Sequence, residues 1–359
     1  MEIPIVFGTY NVIQLLTNAS IYASSLFIPL MAKEFGASPF AIGLIVSAFY
    51  FAYFVSSYLF GVFSDRYGPK IFLQIGLFFS FLFFALQILA KDLWTLLWMR
   101  ALAGFSAGMF PAALEVYAFR ERNGKIGKFA AYGSLGWALG SLLAGFLVAY
   151  NPIFIVSSML FVVAFVLSLK CEKISPLGRA KLIPWDLFKR NLRIYVPYFL
   201  RAVGAQTIWA IFPLYLLSLG GSHFWIGIAY FVNAFSQFVI MQYIERFRNL
   251  YLFNIGLLCS VITFMAYALL PSFWYVFPVQ VLLAFSFSTL QVGAHQQVLQ
   301  RNTQKGSVVG ILNSIVNFTA VIGPFLAGIL LHFFGFEGVM WFAVMISLVS
   351  LISFTKVIE

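Results

Sequence analysis

The chain has 359 residues, of which 62% are hydrophobic and only 9% charged, with a mean hydropathy of +0.96. Soluble domains carry roughly 25% charged residues, so this composition excludes a water-soluble enzyme or binding module. The net charge of +11 needs no nucleic-acid partner: the basic residues fall between apolar runs, where they orient a membrane protein and face anionic lipid headgroups.

Successive apolar runs of about 20 residues match the hydrocarbon core of a bilayer at the helical rise. They are continuous rather than alternating, which selects helices over a barrel. Twelve spans are predicted at about 5–32, 38–60, 70–90, 92–120, 128–149, 152–170, 193–219, 222–243, 250–270, 272–300, 307–332 and 336–355. Ser38-Pro39 reads as an N-cap with proline at the first helical position, and Asp92 and Ser272 are expected to cap the fourth and tenth spans. Met1-Glu2 gives no basic leader segment and the first apolar run is span-length, so the first helix is expected to stay in the mature protein. With the N-terminus inside, 18 of the 22 Lys and Arg fall on the side of the termini. Lys33 and Lys91 lie opposite, and Arg100 and Arg201 lie within spans. That asymmetry places both termini in the cytoplasm of a multi-pass protein of the cell membrane.

The longest polar stretch, residues 171–192, reads as a cytoplasmic linker between two six-span bundles, 1–170 and 193–359. The halves repeat one another. Gly36-Ala-Ser-Pro-Phe40-Ala-Ile-Gly43 returns 184 positions on as Gly220-Gly-Ser-His-Phe224-Trp-Ile-Gly227. Asp65-Arg66-Tyr67 returns 180 positions on as Glu245-Arg246-Phe247, and Gly140-Ser-Leu-Leu-Ala144-Gly145 returns 183 on as Gly323-Pro-Phe-Leu-Ala327-Gly328. The expected fold is an all-α polytopic membrane protein, twelve transmembrane helices in two six-helix bundles related by a pseudo-twofold axis along the membrane normal, with the site between them near the midplane.

Between the second and third spans lies a charged turn, Gly61-Val-Phe-Ser-Asp65-Arg66-Tyr-Gly68-Pro-Lys70. Its spacing resembles the corresponding loop of the major facilitator superfamily of secondary transporters, with Pro69 at the first of two usually basic positions. Arg100-x-x-x-Gly104-x-x-x-Gly108 resembles the family's arginine-glycine motif. Gly140-Ser141-x-x-Ala144-Gly145 resembles its antiporter motif, with Ser141 where the family has proline; the matching Pro324 in the eleventh span does carry it. The resemblance implies that Gly61, Asp65, Arg66, Gly68 and Lys70 form a cytoplasmic gate, with the acid holding the two halves together when the cavity faces outward. A solvated turn is the plainer alternative.

Helical spacing sorts the polar residues within spans into stripes. Arg100, Gly104, Gly108, Pro111 and Glu115 share one face of the fourth span, and Gln280, Ala284, Ser288, Gln291 and His295 hold the same positions in the tenth, so the two stripes are expected to face each other. Asn11, Gln14, Asn18, Tyr22 and Ser25 form a face of the first span, and Arg201, Ile208, Phe212 and Tyr215 one of the seventh. The resemblance implies that these four helices line the cavity. An unpaired arginine in hydrocarbon costs at least about 2.5–3.5 kcal/mol on insertion scales. Arg100 and Arg201 therefore face the cavity or a neighbouring helix, favouring an anionic substrate, or snorkel to an interface. Glu115 is a proton-relay candidate, or one half of a static salt bridge with Arg120 or Arg122. His295 pairs with it across the axis as a gate latch, or is a packed histidine. Gly104, Gly108, Gly136, Gly140, Gly145, Gly323, Pro324 and Gly328 supply close-packing faces on which the halves slide. Trp137, Trp209, Phe212 and Tyr215 are candidate aromatic lining.

Cys171 and Cys259 give no disulfide framework or zinc spacing, and no phosphate-cradling loop occurs, so neither metal nor cofactor is expected. The reading is a monomeric secondary transporter exporting a small amphipathic or anionic molecule with protons as the coupling ion. Uptake or facilitated diffusion of a sugar or organic acid, and lipid flipping on the same fold, are the alternatives.

Overall fold

A computed structural model describes residues 8–121, 127–175, 185–244, 251–302 and 305–355. The Asp65 side chain, the repeat segment Glu245–Phe247 and the Arg120 and Arg122 side chains lie outside the described residues.

Every described element is helical, and prolines and glycines set the boundaries. The first span is α1 (Thr9–Leu26) continued by α2 (Ile28–Glu34), broken at Phe27 because Pro29 cannot supply an amide to the helix. In α3 (Pro39–Tyr67) the Ser38 hydroxyl accepts from the Ala41 amide at 3.2 Å, the cap expected from sequence. Gly68, at φ +95°, reverses the chain into α4 (Pro69–Leu86). Asp92 caps α5 (Leu93–Met109) through a reciprocal pair with Thr95, whose amide holds the Asp92 carboxyl below its usual range. The fourth span breaks at Phe110 and resumes as α6 (Pro111–Glu121), since Pro111 has no amide hydrogen to carry the helical ladder on. Next come α7 (Gly127–Leu147) and α8 (Tyr150–Leu169), the short linker helix α9 (Trp185–Arg190), and α10 (Leu192–Ser218). They are followed by α11 (His223–Ile244), α12 (Leu252–Ala268) and α13 (Val276–Arg301). Ser272 makes no side-chain cap bond, contrary to expectation, because a 3-10 turn at Phe273–Tyr275 precedes α13. The last two spans run as α14 (Lys305–Thr355), reversing at Gly335 with φ +66°.

Helix partners in the first half recur in the second. α1 packs on α7, α3 on α5 and α4 on α8; α10 packs on α14, α11 on α13 and α12 on α14. The repeat holds at single residues. Gly76 abuts Phe110, and Gly256 abuts Leu290, each 180 positions later. The most extensive contacts between the halves are α3 with α14 and α7 with α11.

The core shows how the halves sit. One apolar cluster crosses between them at the end of the molecule distant from the linker, joining Leu26, Phe27, Met31 and Ile42 to Phe212, Leu216, Ile226 and Tyr230. At the linker end the core divides, with Leu73, Phe110 and Phe161 in the first half and Tyr195, Phe253 and Leu290 in the second. The halves are joined at the far end and parted at the linker end. Outside, Phe51, Trp98, Met159 and Met345 are well exposed, part of an apolar belt around the bundles.

Candidate functional site

Backbone contact without side chains closes the far end. Gly145 of α7 meets Gly227 of α11, and Gly43 of α3 meets Gly328 of α14. The two crossings are repeats of each other, since Gly43 corresponds to Gly227 and Gly145 to Gly328. A Cβ on Gly227 would stand 2.6 Å from the Gly145 Cα, and one on Gly328 2.9 Å from the Pro39 carbonyl oxygen, so no larger residue fits this closed arrangement. Ring pairs flank both crossings, Phe146 with Phe224 at 5.2 Å and Phe40 with Phe325 at 5.7 Å. The other glycines serve a different contact. Gly136 and Gly140 press on Leu15 and Ala19 of α1, Gly323 on Gln206 of α10, and Gly104 and Gly108 on Phe49 and Tyr53 of α3. These packings stay within one half, whereas the sequence suggested a single sliding role for the whole set.

Beneath the closed end lies a cavity of about 80 Å³. Five pairs of its lining residues stand 184 positions apart: Tyr22 and Gln206, Ser25 and Trp209, Leu26 and Ala210, Pro29 and Pro213, Val46 and Tyr230. The cavity therefore straddles the pseudo-twofold axis. Ile21, Ile28, Tyr50, Arg100 and Pro324 complete the wall. Tyr22 and Trp137 stack at 5.6 Å, and Tyr22 meets Tyr230 edge-on at 6.1 Å.

Arg100 is 2% exposed, and all its partners are neutral. Its Nη1 donates to Gln87 Oε1 at 3.0 Å and Ser24 Oγ at 3.4 Å, its Nη2 to Ser25 Oγ at 2.9 Å, and its guanidinium lies over Phe49 at 4.2 Å. Nε has no partner. The positive charge is held at the cavity edge with no counter-ion among the described residues. Arg201 turns elsewhere, into the second bundle. Its Nε donates to Ser260 Oγ at 2.8 Å between Phe264 and Phe287, and its Nη2 is unpartnered. It does not line this cavity and does not snorkel, being 3% exposed.

The remaining candidates divide. The Tyr215 hydroxyl is spent on the Tyr267 carbonyl at 2.7 Å. Gln280 is fully buried, with Oε1 accepting from the Tyr267 hydroxyl at 3.2 Å, the repeat of the Gln87–Arg100 pair. Gln291 accepts from Tyr198. On α1, Asn11 is buried; Asn18 receives the Trp137 indole N–H at 2.8 Å and donates to the Gln14 carbonyl at 2.8 Å. The two predicted stripes do not face each other along their upper turns. Each packs on the next helix of its own half, through Gly104 against Phe49 and through the Gln280 carbonyl accepting from Asn233 at 3.0 Å.

At the linker end Glu115 is exposed and, among the described residues, has no ion pair or hydrogen bond. His295 bonds through Nδ1 to its own helix at the Gln291 carbonyl, 2.8 Å, and is not paired with Glu115 in this open arrangement. In the charged turn Gly61 and Lys70 are half-buried, Arg66 is exposed over the Tyr67 ring, and Gly68 abuts the Ile174 carbonyl. Among the described residues no three metal-ligating side chains lie together.

The model of the Major Facilitator Superfamily matches residues 11–302 and, separately, 194–358. The chain belongs to that family and is a secondary transporter, moving a small organic molecule across the membrane by alternating access. It is 23% identical to the Quinolone resistance protein NorA of Staphylococcus aureus over 84% of each chain. It is 25% identical to the Multidrug resistance protein MdtG of Escherichia fergusonii over 58% of this chain and 56% of that one. The nucleoside transporter NupG shares the fold with a TM-score of 0.78 at 11% identity, covering 98% of each chain. The human organic anion transporter MFSD10 does so at 0.73 and 17%, covering 96% of this chain and 98% of that one.

Tyr50, Gln206 and Tyr230 are cavity residues that the sequence reading did not single out. Applying the 184-residue offset to Tyr22 would have found Gln206.

Proposed function

We propose that the protein is a proton-coupled exporter of a small amphipathic or anionic compound. It works as a monomer in the cell membrane, with both termini in the cytoplasm and lipid around the apolar belt. The bundles 1–170 and 193–359, divided by the linker 171–192, rock about the cavity, and the arrangement described is the inward-open one.

The observation that carries this reading is Glu115, an exposed carboxylate on α6 with no ion pair or hydrogen bond among the described residues. A carboxyl reached by water in one state and enclosed in the other can load a proton on one side and release it on the opposite side. The relatives named for quinolone and multidrug resistance favour export. Facilitated diffusion of a sugar or organic acid is the second reading, favoured by the Gln206 amide in the cavity.

Proteoliposomes carrying a pH gradient separate the two, with labelled 2-naphthoate and ethidium as reporters. Under proton coupling the gradient drives accumulation of a reporter, and Glu115→Gln lowers that flux at least about tenfold while sparing counterflow, as expected when coupling rather than binding is removed. Wild-type flux indifferent to the gradient rejects coupling.

A further inference from the structure

The cavity lies on the pseudo-twofold axis, but its two walls differ in chemistry. At equivalent positions the first half offers Ser25 and Val46 where the second offers Trp209 and Tyr230. Arg100 lines the first-half wall; its repeat partner Gln280 is fully buried and absent from the lining. One wall carries the cation with two phenols, and the other an indole, a phenol and an amide.

The hydroxyl groups sharpen this asymmetry. Tyr117, Tyr195, Tyr215 and Tyr267 each spend the phenol proton on a protein acceptor. The phenols of Tyr22, Tyr50 and Tyr230 and the Gln206 amide make no hydrogen bond among the described residues, and all four border the cavity. Tyr22, Tyr50 and Arg100 line the same first-half wall of the cavity. Two of these donors, Tyr22 and Tyr50, stand with the guanidinium on the first-half wall, facing the Gln206 amide, an indole and a phenol on the other.

Deepening the transport reading and resting on it for the site's location, we infer that the cargo is an aromatic monoanion bound in a fixed orientation. Its carboxylate faces Arg100 and the Tyr22 and Tyr50 hydroxyls, and its ring lies against Trp209 and Tyr230. A carboxylate returns to Arg100 the charge-assisted hydrogen bonds that burial removed, and its neutral acceptors cannot do so. A cation of the same shape meets like charge with no acid in reach. The aromatic wall contributes through ring contact, which tolerates varied ring systems. Arg201, turned into the second bundle, takes no part.

The test is calorimetric binding to the purified full-length protein in nanodiscs, with no gradient, using 2-naphthoate, 2-naphthamide and 2-naphthylmethylammonium. These three probes share a ring and differ in charge. Naphthoate should bind at least about tenfold tighter than the other two. Arg100→Gln should bring naphthoate down to the amide's affinity while leaving the amide unchanged, which also certifies the fold. Should that variant fail to fold, Tyr22→Phe with Tyr50→Phe should weaken naphthoate alone. Trp209→Leu should weaken naphthoate and naphthamide equally, and Arg201→Lys neither. Equal affinity for all three probes, tighter binding of the ammonium, no binding by any, or loss of naphthoate preference in Arg201→Lys overturns the inference. Because binding is read at equilibrium, failure here is separable from failure of proton coupling, which appears only as gradient-independent flux.

Discussion

Arg100 and Arg201 are alike in the sequence: each sits well inside a span with no acid at helical spacing. Their surroundings separate them. Arg100 is bound by Ser24, Ser25 and Gln87 at the cavity edge, and Arg201 by Ser260 inside one bundle. A forked guanidinium contact is not reproduced by an ammonium. Arg100→Lys should therefore lower the naphthoate transport rate about tenfold, whereas Arg201→Lys should change it less than about threefold; initial rates in proteoliposomes decide. A reversed order would move the binding centre into the second bundle. Sequence spacing could place both arginines within spans but could not say which wall each joins, because that depends on how each helix is rotated about its axis. Tyr50 and Tyr230 were illegible for a different reason. In a chain with 17 tyrosines and 44 phenylalanines, a single aromatic residue carries no signal until a neighbour across the axis is known.

Among elements, the glycine faces divide by what they touch. Gly145 and Gly328 join the halves at the far end, while Gly140 and Gly323 hold α7 to α1 and α14 to α10. Gly145→Leu and Gly328→Leu should prop the far end open. In a background lacking Cys171 and Cys259, a Phe224→Cys reporter should then react several-fold faster with a membrane-impermeant maleimide. Gly140→Leu and Gly323→Leu should instead lower the melting temperature, by overpacking worth about 1–3 kcal/mol, without that gain in reactivity. Equal reactivity in all four variants would dissolve the distinction. The spans themselves were legible because hydrocarbon demands long apolar helices. The breaks at Phe27 and Phe110 went unread, although Pro29 and Pro111 stood in plain view, since a proline within a span is as compatible with a kink as with an interruption.

For the whole molecule, the sequence reports the repeat and the charge asymmetry but is silent on which end is closed, since one sequence must stabilise both states within a few kcal/mol of each other. Spin labels at Val116 and Gln300, near the linker ends of α6 and α13, should give two distance populations, the shorter belonging to the state closed at that end. If Glu115 and His295 meet there as a latch, Glu115→Gln and His295→Ala should each deplete the shorter population. Unchanged distributions in both variants mean that the two residues do not meet.

At the far-end crossings glycine meets glycine, main chain against main chain, away from the polar groups of the cavity. A seal of that kind is blind to cargo. It can admit whatever the cavity accepts, so a change of diet needs no redesign of the door. Replacements at Tyr22, Gln206, Trp209 or Tyr230 could redirect the protein to new compounds while the machinery of opening stays untouched, and natural drift in substrate range should concentrate at those four positions and spare the glycines.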